Sequence, residues 1–460
     1  MLDAIQKKIL GLYRDYGMVI SLSGIFLIPL KLSLAYIVLA AYSILWLCSG
    51  DARLSTRLSA PILAPLLLFL LVSFAGSIFG LEPLHSLPKL AGFILVAFLI
   101  PVFCSISLCA SPARTVLVLL LGQAVAATHS VLEGAYPKIV PPIFLGKVTE
   151  SGQLALITVL CAGFIIYSLR KPADREPLRN HFCLEPCCGD LGICVLTTIL
   201  LIATAFSSNF AWSNQVRIGL LGLSLIQILY FARTPLISLE NFQNQARLLL
   251  RLILPLLITA LLVNLKRGPW TGVLIGSSIL VILYGKRYLF PALLGIALIA
   301  FAFDPIRSRL LHSQEHFYIS GGRAEIWDIG VDLALRYPLG IGFENGHLLS
   351  RFSPEIPKVL THFHNNFINI IVELGWISFF IYLWWIYSIL QLAFREKFSK
   401  RESILTASIG CAVISWQIAG MVEYNLGDSE VLLLVFVLLG TLVALSEERR
   451  VSEPTIRQAS

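Results

Sequence analysis

The chain is 460 residues long, 57% hydrophobic and only 13% charged, with a mean hydropathy of +0.81. A water-soluble globular protein of this length needs charged surface throughout, and an outer-membrane barrel needs period-two alternation in short segments; this sequence offers neither. The net charge of +8 arrives without a nucleic-acid-binding motif, so membrane topology accounts for it better and no nucleic acid is expected as a partner.

From the N-terminus, Lys7, Lys8 and Arg14 precede an apolar stretch with no convincing small-residue cleavage site behind it, which reads as an uncleaved first helix. Apolar runs of about 16 to 20 residues, the length a bilayer demands, then recur between short polar breaks. Spans are predicted at 17–30, 33–49, 61–79, 90–108, 113–133, 152–169, 191–207, 216–232, 250–265, 270–285, 288–303, 366–390, 404–422 and 431–446. The expected fold class is an all-α polytopic integral membrane protein. Its parts are spans over 1–303, a long outer loop containing helices over 304–365, three last spans within 366–446 and a tail at 447–460.

With the N-terminus in the cytoplasm, the inner loops collect 22 of the Lys and Arg residues. The short outer loops hold seven (Lys31, Lys89, Lys138, Lys147, Arg217, Lys266 and Arg267) and the long outer segment six. This bias obeys the positive-inside rule and puts both termini on the cytoplasmic side of an inner membrane, with membrane lipids around the spans. The 304–365 segment is too long and too polar for a simple connection, and long loops usually carry function. Seven acids balance its six bases, so any anion site there must use particular arginines. The nine cysteines lie in spans or on the inner side, where no disulfide is needed. The cluster from His181 to Cys194 matches no standard zinc spacing, and no metal or other cofactor is expected.

The stretch THFHNNFINIIVELGWIS is the most informative. His364 sits at the outer mouth of the twelfth span and is expected to begin its helix. At about 100° per residue, Gly375 would lie within about 20° of His364, with Ser378 on nearly the same stripe, small residues that permit close helix packing. Glu373 would face the opposite side. A carboxylate inside a membrane is costly, and pairing with another helix is its leading expectation, with substrate contact the alternative.

His364, Asn365 and Gly375 match the signature of the O-antigen ligase family, which the sequence resembles. Ser378 stands where that signature has Gly, Thr or Tyr. Two further segments are similar in the same order. GGRAEIWDIGVDLALRYPLGIGFENG looks like the family's Arg…Trp…Pro-x-Gly-x-Gly run, and LVNLKRGPWTGVLIG resembles its Ser-Arg-Gly helix start, with Lys266 in place of the small polar residue and Pro269 after Gly268. The likeness is specific over about 260–390. The family usually has about twelve spans, so the hairpin around 191–232 is either an addition or an overcount, giving 12 to 14 transmembrane helices.

The resemblance implies glycan transfer at the periplasmic face from an undecaprenyl diphosphate-linked polysaccharide to a sugar hydroxyl of lipid A-core. A diphosphate leaving group suits arginine, whose planar fork holds phosphate oxygens without losing its charge. Arg267 and Arg323 are the expected pair, and fixed cations there lower the barrier as charge builds on the leaving group, so a metal-independent reaction is expected. His364 is expected to accept the acceptor's proton in a single inverting displacement, or alternatively to bind the diphosphate as imidazolium. Asn365 would orient either partner and Trp327 would stack on sugar or lipid, or anchor an interfacial helix. Gly340 and Gly342 would let the loop turn close to the site, or form an ordinary turn. Lys266 and His362, with Arg217, are further outer-face candidates. An O-antigen polymerase and a protein O-oligosaccharyltransferase share this donor chemistry, and a polytopic transporter or flippase is the alternative from another class.

Overall fold

A computed structural model describes residues 2–49, 51–136, 147–169, 187–206, 248–284, 301–312, 317–318, 322–353, 360–395 and 401–452, with Gly219, Gly222, Ala297 and Ile356 between them. The described residues are helical, without strands. They form α1 (Leu2–Leu27), α2 (Leu32–Ser49), α3 (Asp51–Ile78), α4 (Pro83–Ala97), α5 (Leu99–Ala110), α6 (Pro112–Ala135), α7 (Lys147–Leu169) and α8 (Cys187–Ala205). A π-helical turn (Leu249–Ile253) leads into α9 (Leu254–Val263) and α10 (Arg267–Tyr284). Then come α11 (Asp304–Leu311), α12 (Arg323–Arg336), a 3-10 turn (Asn345–Leu348), α13 (Leu349–Phe352), α14 (Asn366–Phe394), α15 (Arg401–Ala419) and α16 (Ser429–Ser452).

Among these, seven helices are long and apolar enough to cross a bilayer, and the chain is an all-α multi-pass membrane protein. Twelve of the fourteen predicted spans coincide with helices. Those at 216–232 and 288–303 lie almost wholly outside the described residues, as do Arg217 and residues 181–186 of the His181–Cys194 cluster. The span predicted at 90–108 is broken at Phe98 into α4 and α5. Pro101 has no N–H for the Ala97 carbonyl one turn earlier, so the hydrogen-bond ladder stops there.

The apolar core is continuous across the bundle, with α15 against α7 and α10, α14 against α3, and α16 against α5. Small residues set the closeness of α10 and α15. A Cβ on Gly276 would come 2.8 Å from the Cys411 carbonyl oxygen, and one on Gly272 would overlap that of Ser415. Tight backbone approach of this kind suits helices that have no hydrophobic effect to drive them together in lipid.

The outer loop is built into this bundle. Gly375, expected on a helical stripe with His364, instead interrupts α14 with φ +82° and ψ +170°. The break frees backbone groups, and Pro338–Gly342 fills it. Trp376 N–H donates to the Pro338 carbonyl (3.1 Å), while Ile341 and Gly342 N–H donate to the carbonyls of Val372 and Glu373 (both 2.9 Å). On the other side, Leu81 N–H donates to the Ile341 carbonyl at 2.8 Å, and Phe343 N–H to Ser77 Oγ at 3.2 Å. Among the described residues, Glu373 does not pair with a side chain of another helix. Its carboxylate accepts the backbone N–H groups of Glu344 (3.0 Å) and Gly346 (3.2 Å), because a residue just above the break faces the loop that fills it. Ion pairs and hydrogen bonds clamp the same loop to the start of α4: Lys89 to Glu344 at 2.7 Å, His347 to Glu82 at 3.0 Å, and His85 to Asn345 at 3.2 Å.

Candidate active site

Arg267 and Arg323 are each the first residue of a helix, α10 and α12. Helix N-termini carry exposed N–H groups and partial positive charge, so both positions add to the pull of the guanidinium on an anion. Although 56 residues separate them in sequence, the two arginines line one cavity of about 160 Å³ with Arg309 and Phe317. Arg309, on α11, went unmarked in the sequence; its Nε donates to the Leu265 carbonyl at 3.1 Å, which ties α11 to the loop just before Arg267. The cavity opens into a groove of about 460 Å³ whose lower wall is made by Gly268 and Thr271 of α10 and by Ile418, Met421 and Val422 at the end of α15. Cations at the head and an apolar trough below match the two halves of a phosphorylated lipid.

His364 does not begin a helix. Asn365 is the N-cap of α14, and its side-chain oxygen accepts from the N–H groups of Phe367 (2.9 Å) and Ile368 (3.1 Å), with Nδ2 donating to the Met421 carbonyl (2.8 Å). Both polar ends of Asn365 are thus engaged in capping and anchoring. His364 precedes the cap in a left-handed conformation, φ +50°, which is uncommon outside glycine. Its neighbours hold it there. Phe363 N–H donates to Asn369 Oδ1 at 3.3 Å, and the Phe363 carbonyl accepts the indole N–H of Trp327 at 2.9 Å. Trp327 also stands edge-on to Phe317 with ring centroids 5.3 Å apart, so it braces the cavity wall and the backbone before the histidine together.

Asn366 joins this segment to the loop between α15 and α16. Its Oδ1 accepts the N–H groups of Asn425 (3.0 Å) and Leu426 (3.1 Å), its Nδ2 donates to Asn425 Oδ1 (2.7 Å), and its own N–H donates to the Gly420 carbonyl (2.7 Å). That loop delivers Glu423, the acid among these cations and a residue that sequence inspection passed over. Its side chain is 8% exposed, with Oε1 on Arg323 NH2 at 3.2 Å and Oε2 3.9 Å from His364 Nδ1. The signal in the sequence was three acids, Glu423, Asp428 and Glu430, between the last two spans of a chain poor in charge.

His364 Nδ1 lies 3.2 Å from His362 Nε2, and the His362 ring stacks on Tyr424. Burial, then the nearby His362, Arg323 and Lys266, push the His364 proton affinity down to about 3, so the imidazole is neutral. The Glu423 carboxylate does not reverse this, since Arg323 holds it and the approach to His364 exceeds hydrogen-bond length. His362 is likewise pushed below its ordinary value, chiefly by burial.

The structure thus brings Arg267, Arg323, Lys266, His362 and His364 into one electrostatic neighbourhood. Gly340 and Gly342 serve elsewhere. A Cβ on Gly340 would collide with the Glu373 carbonyl, and one on Gly342 would come 2.6 Å from Asn345 Nδ2, so they permit docking into the break of α14. Among the described residues no group of three or more His, Cys, Asp and Glu side chains is placed to hold a metal ion.

No curated protein matches the chain. Residues 252–383, the segment that carries Arg267, Arg323, His364 and the loop plugged into α14, match the family model described as O-antigen ligase.

Proposed function

We propose that the protein is an O-antigen ligase that moves a polysaccharide from undecaprenyl diphosphate to a lipid A-core hydroxyl. The reaction takes place at the periplasmic face of the bacterial inner membrane, with both chain termini cytoplasmic and the 304–365 loop as the cap. The observation that carries this reading is the convergence of Arg267, Arg309 and Arg323 on one cavity at the head of an apolar groove.

In this scheme the three guanidinium groups hold the diphosphate, and the groove takes the first part of the polyprenyl chain. The acceptor hydroxyl attacks the anomeric carbon from the face opposite the diphosphate and gives its proton to His364. The new C–O bond forms as the anomeric carbon–oxygen bond to phosphate breaks, and the electron pair leaves on the diphosphate, with inversion. Docked arginines stabilise that growing charge, which is the work a divalent ion does in other phosphate chemistry, so the reaction is metal-independent. A bound diphosphate also offsets the charge of Arg323 and Lys266, and the proton affinity of the imidazole rises as the donor arrives. Lys266 and His362 meet the substrate at the rim; Asn365 and Trp327 act by fixing His364.

Silver-stained lipopolysaccharide from a host lacking the gene tests this, with lipid-linked polymer and surface glycoproteins extracted in parallel. Loss of the long ladder with polymer retained on its carrier is the expected result. A single repeat on the core would mean a polymerase, and an unchanged ladder with lost protein glycosylation would move the acceptor to a protein.

A further inference from the structure

We infer that Glu423 is an exchangeable counter-ion: Arg323 releases it when a diphosphate binds, and the freed carboxylate then holds the His364 imidazole. This rests on the reading that the arginine cavity takes a diphosphate.

The inference comes from how one carboxylate is shared. Oε1 is on Arg323 NH2 at 3.2 Å, whereas Oε2 faces His364 Nδ1 from 3.9 Å, a gap that a small side-chain rotation closes. Arg323 lines the cavity with Arg267 and Arg309, and among the described residues none that lines that cavity is acidic. In the resting protein the Glu423–Arg323 pair therefore keeps one of the three cations occupied, and a diphosphate must compete with it. A carboxylate 8% exposed cannot be left without a partner once Arg323 turns to phosphate, because an unpaired buried charge is costly. Among the described residues, the charged and titratable groups facing His364 are His362, Arg323, Lys266 and Glu423. In the proposed transfer it is His364 that gains a proton, so the carboxylate moves to where positive charge appears.

The move also settles the tautomer. A carboxylate on Nδ1–H leaves Nε2 as the basic nitrogen, and it stabilises the imidazolium that forms there. His362, now 3.2 Å from the same Nδ1, gives way to it or shares the proton. The local build supports a fixed pivot. Asn366 pins the backbone at Asn425 and Leu426, and Gly268 lets α10 approach so closely that a Cβ there would come 2.5 Å from Val422. The exchange then asks only the Glu423 side chain to turn, on a backbone held close by these contacts. Glu423 is thus a positioning residue, acting through Arg323 and His364.

The test uses the full-length protein in detergent or nanodiscs, with inorganic pyrophosphate as the probe. Glu423→Gln keeps the shape and removes the competing charge. It is expected to bind pyrophosphate about 5-fold tighter or more than the wild type, while single-turnover glycan transfer falls by at least about 10-fold. A residue that only held the fold together would weaken both. In an Arg323→Gln background the gain from Glu423→Gln should vanish, since the competition passes through that guanidinium. Wild-type binding of pyrophosphate with no tightening in Glu423→Gln would overturn the exchange and leave the diphosphate site standing. Wild-type protein that fails to bind pyrophosphate would overturn both.

Discussion

Gly340 and Gly375 meet backbone to backbone: a Cβ on Gly340 would lie 2.8 Å from the Gly375 nitrogen, and the two residues hold φ of +91° and +82°. Neither conformation nor approach is open to a residue with a side chain. Alanine at either position is expected to cost about 1–3 kcal/mol in backbone strain alone, and more through collision with Glu373 or Leu339. Thermal unfolding in detergent should show both variants melting well below wild type. Gly92→Ala, in the interior of α4 with open space around it, should hold or raise the melting point.

Glu373 is the other half of that joint. Glu373→Gln leaves one of the two loop N–H groups facing an amide NH2 in place of an oxygen, at a cost of about 1–3 kcal/mol. Limited proteolysis between residues 338 and 352 should accelerate in the variant. Unchanged cleavage would mean that the plug is held without the carboxylate.

Asn366 and Asn365 are adjacent but should separate experimentally. Asn366→Ala removes three hydrogen bonds to the 425–426 backbone and side chain and strands buried partners, so a loss on the order of 3 kcal/mol is expected, with lowered expression. Asn365→Ser retains a capping oxygen and should cost under about 1 kcal/mol. It loses the bond to Met421, so transfer should suffer more than stability.

Arg267→Ala, Arg309→Ala and Arg323→Ala are each expected to lower transfer about 10²- to 10³-fold with insertion retained; Arg323→Ala also takes the partner from the buried Glu423 carboxylate and should melt below wild type. Reconstituted transfer with EDTA present is the companion measurement. Full activity in one variant would remove that arginine from the site, and loss of activity with EDTA would sink the metal-free scheme.

The pH dependence has a definite sign. His364 is neutral down to about 3 in the free protein, so the acid limb of kcat/KM should lie well below the ordinary histidine value of about 6.5. The limb of kcat should sit higher, because a bound diphosphate raises the imidazole's proton affinity. For stability, the folded value lies below the unfolded one, so between about 3 and about 6.5 the unfolded chain binds the extra proton and stability rises with pH. His364→Gln should flatten that part of the melting profile.

Much of this was legible in the residues alone. Hydropathy over windows placed twelve described helices, and the three motif segments put Arg267, Arg323 and His364 forward before any contact was known. What a helical period cannot carry is a break in the helix, so Gly375 was read onto a stripe when it opens a slot for Pro338–Gly342. For the same reason the helical period carries His364 into a helix that Asn365 caps, and the turn expected at Gly340 and Gly342 packs into the slot.

By itself the sequence determined that the chain is a helical membrane protein and which residue types stand ready for phosphate chemistry, because bilayer length and arginine's charge are local properties. Only the tertiary structure decided that Arg309 joins the cavity, and that Glu423 stands between Arg323 and His364. Those contacts join residues on separate helices and loops, Arg323 and Glu423 being 100 positions apart, and such distances are set by how helices pack and not by what any window of sequence contains.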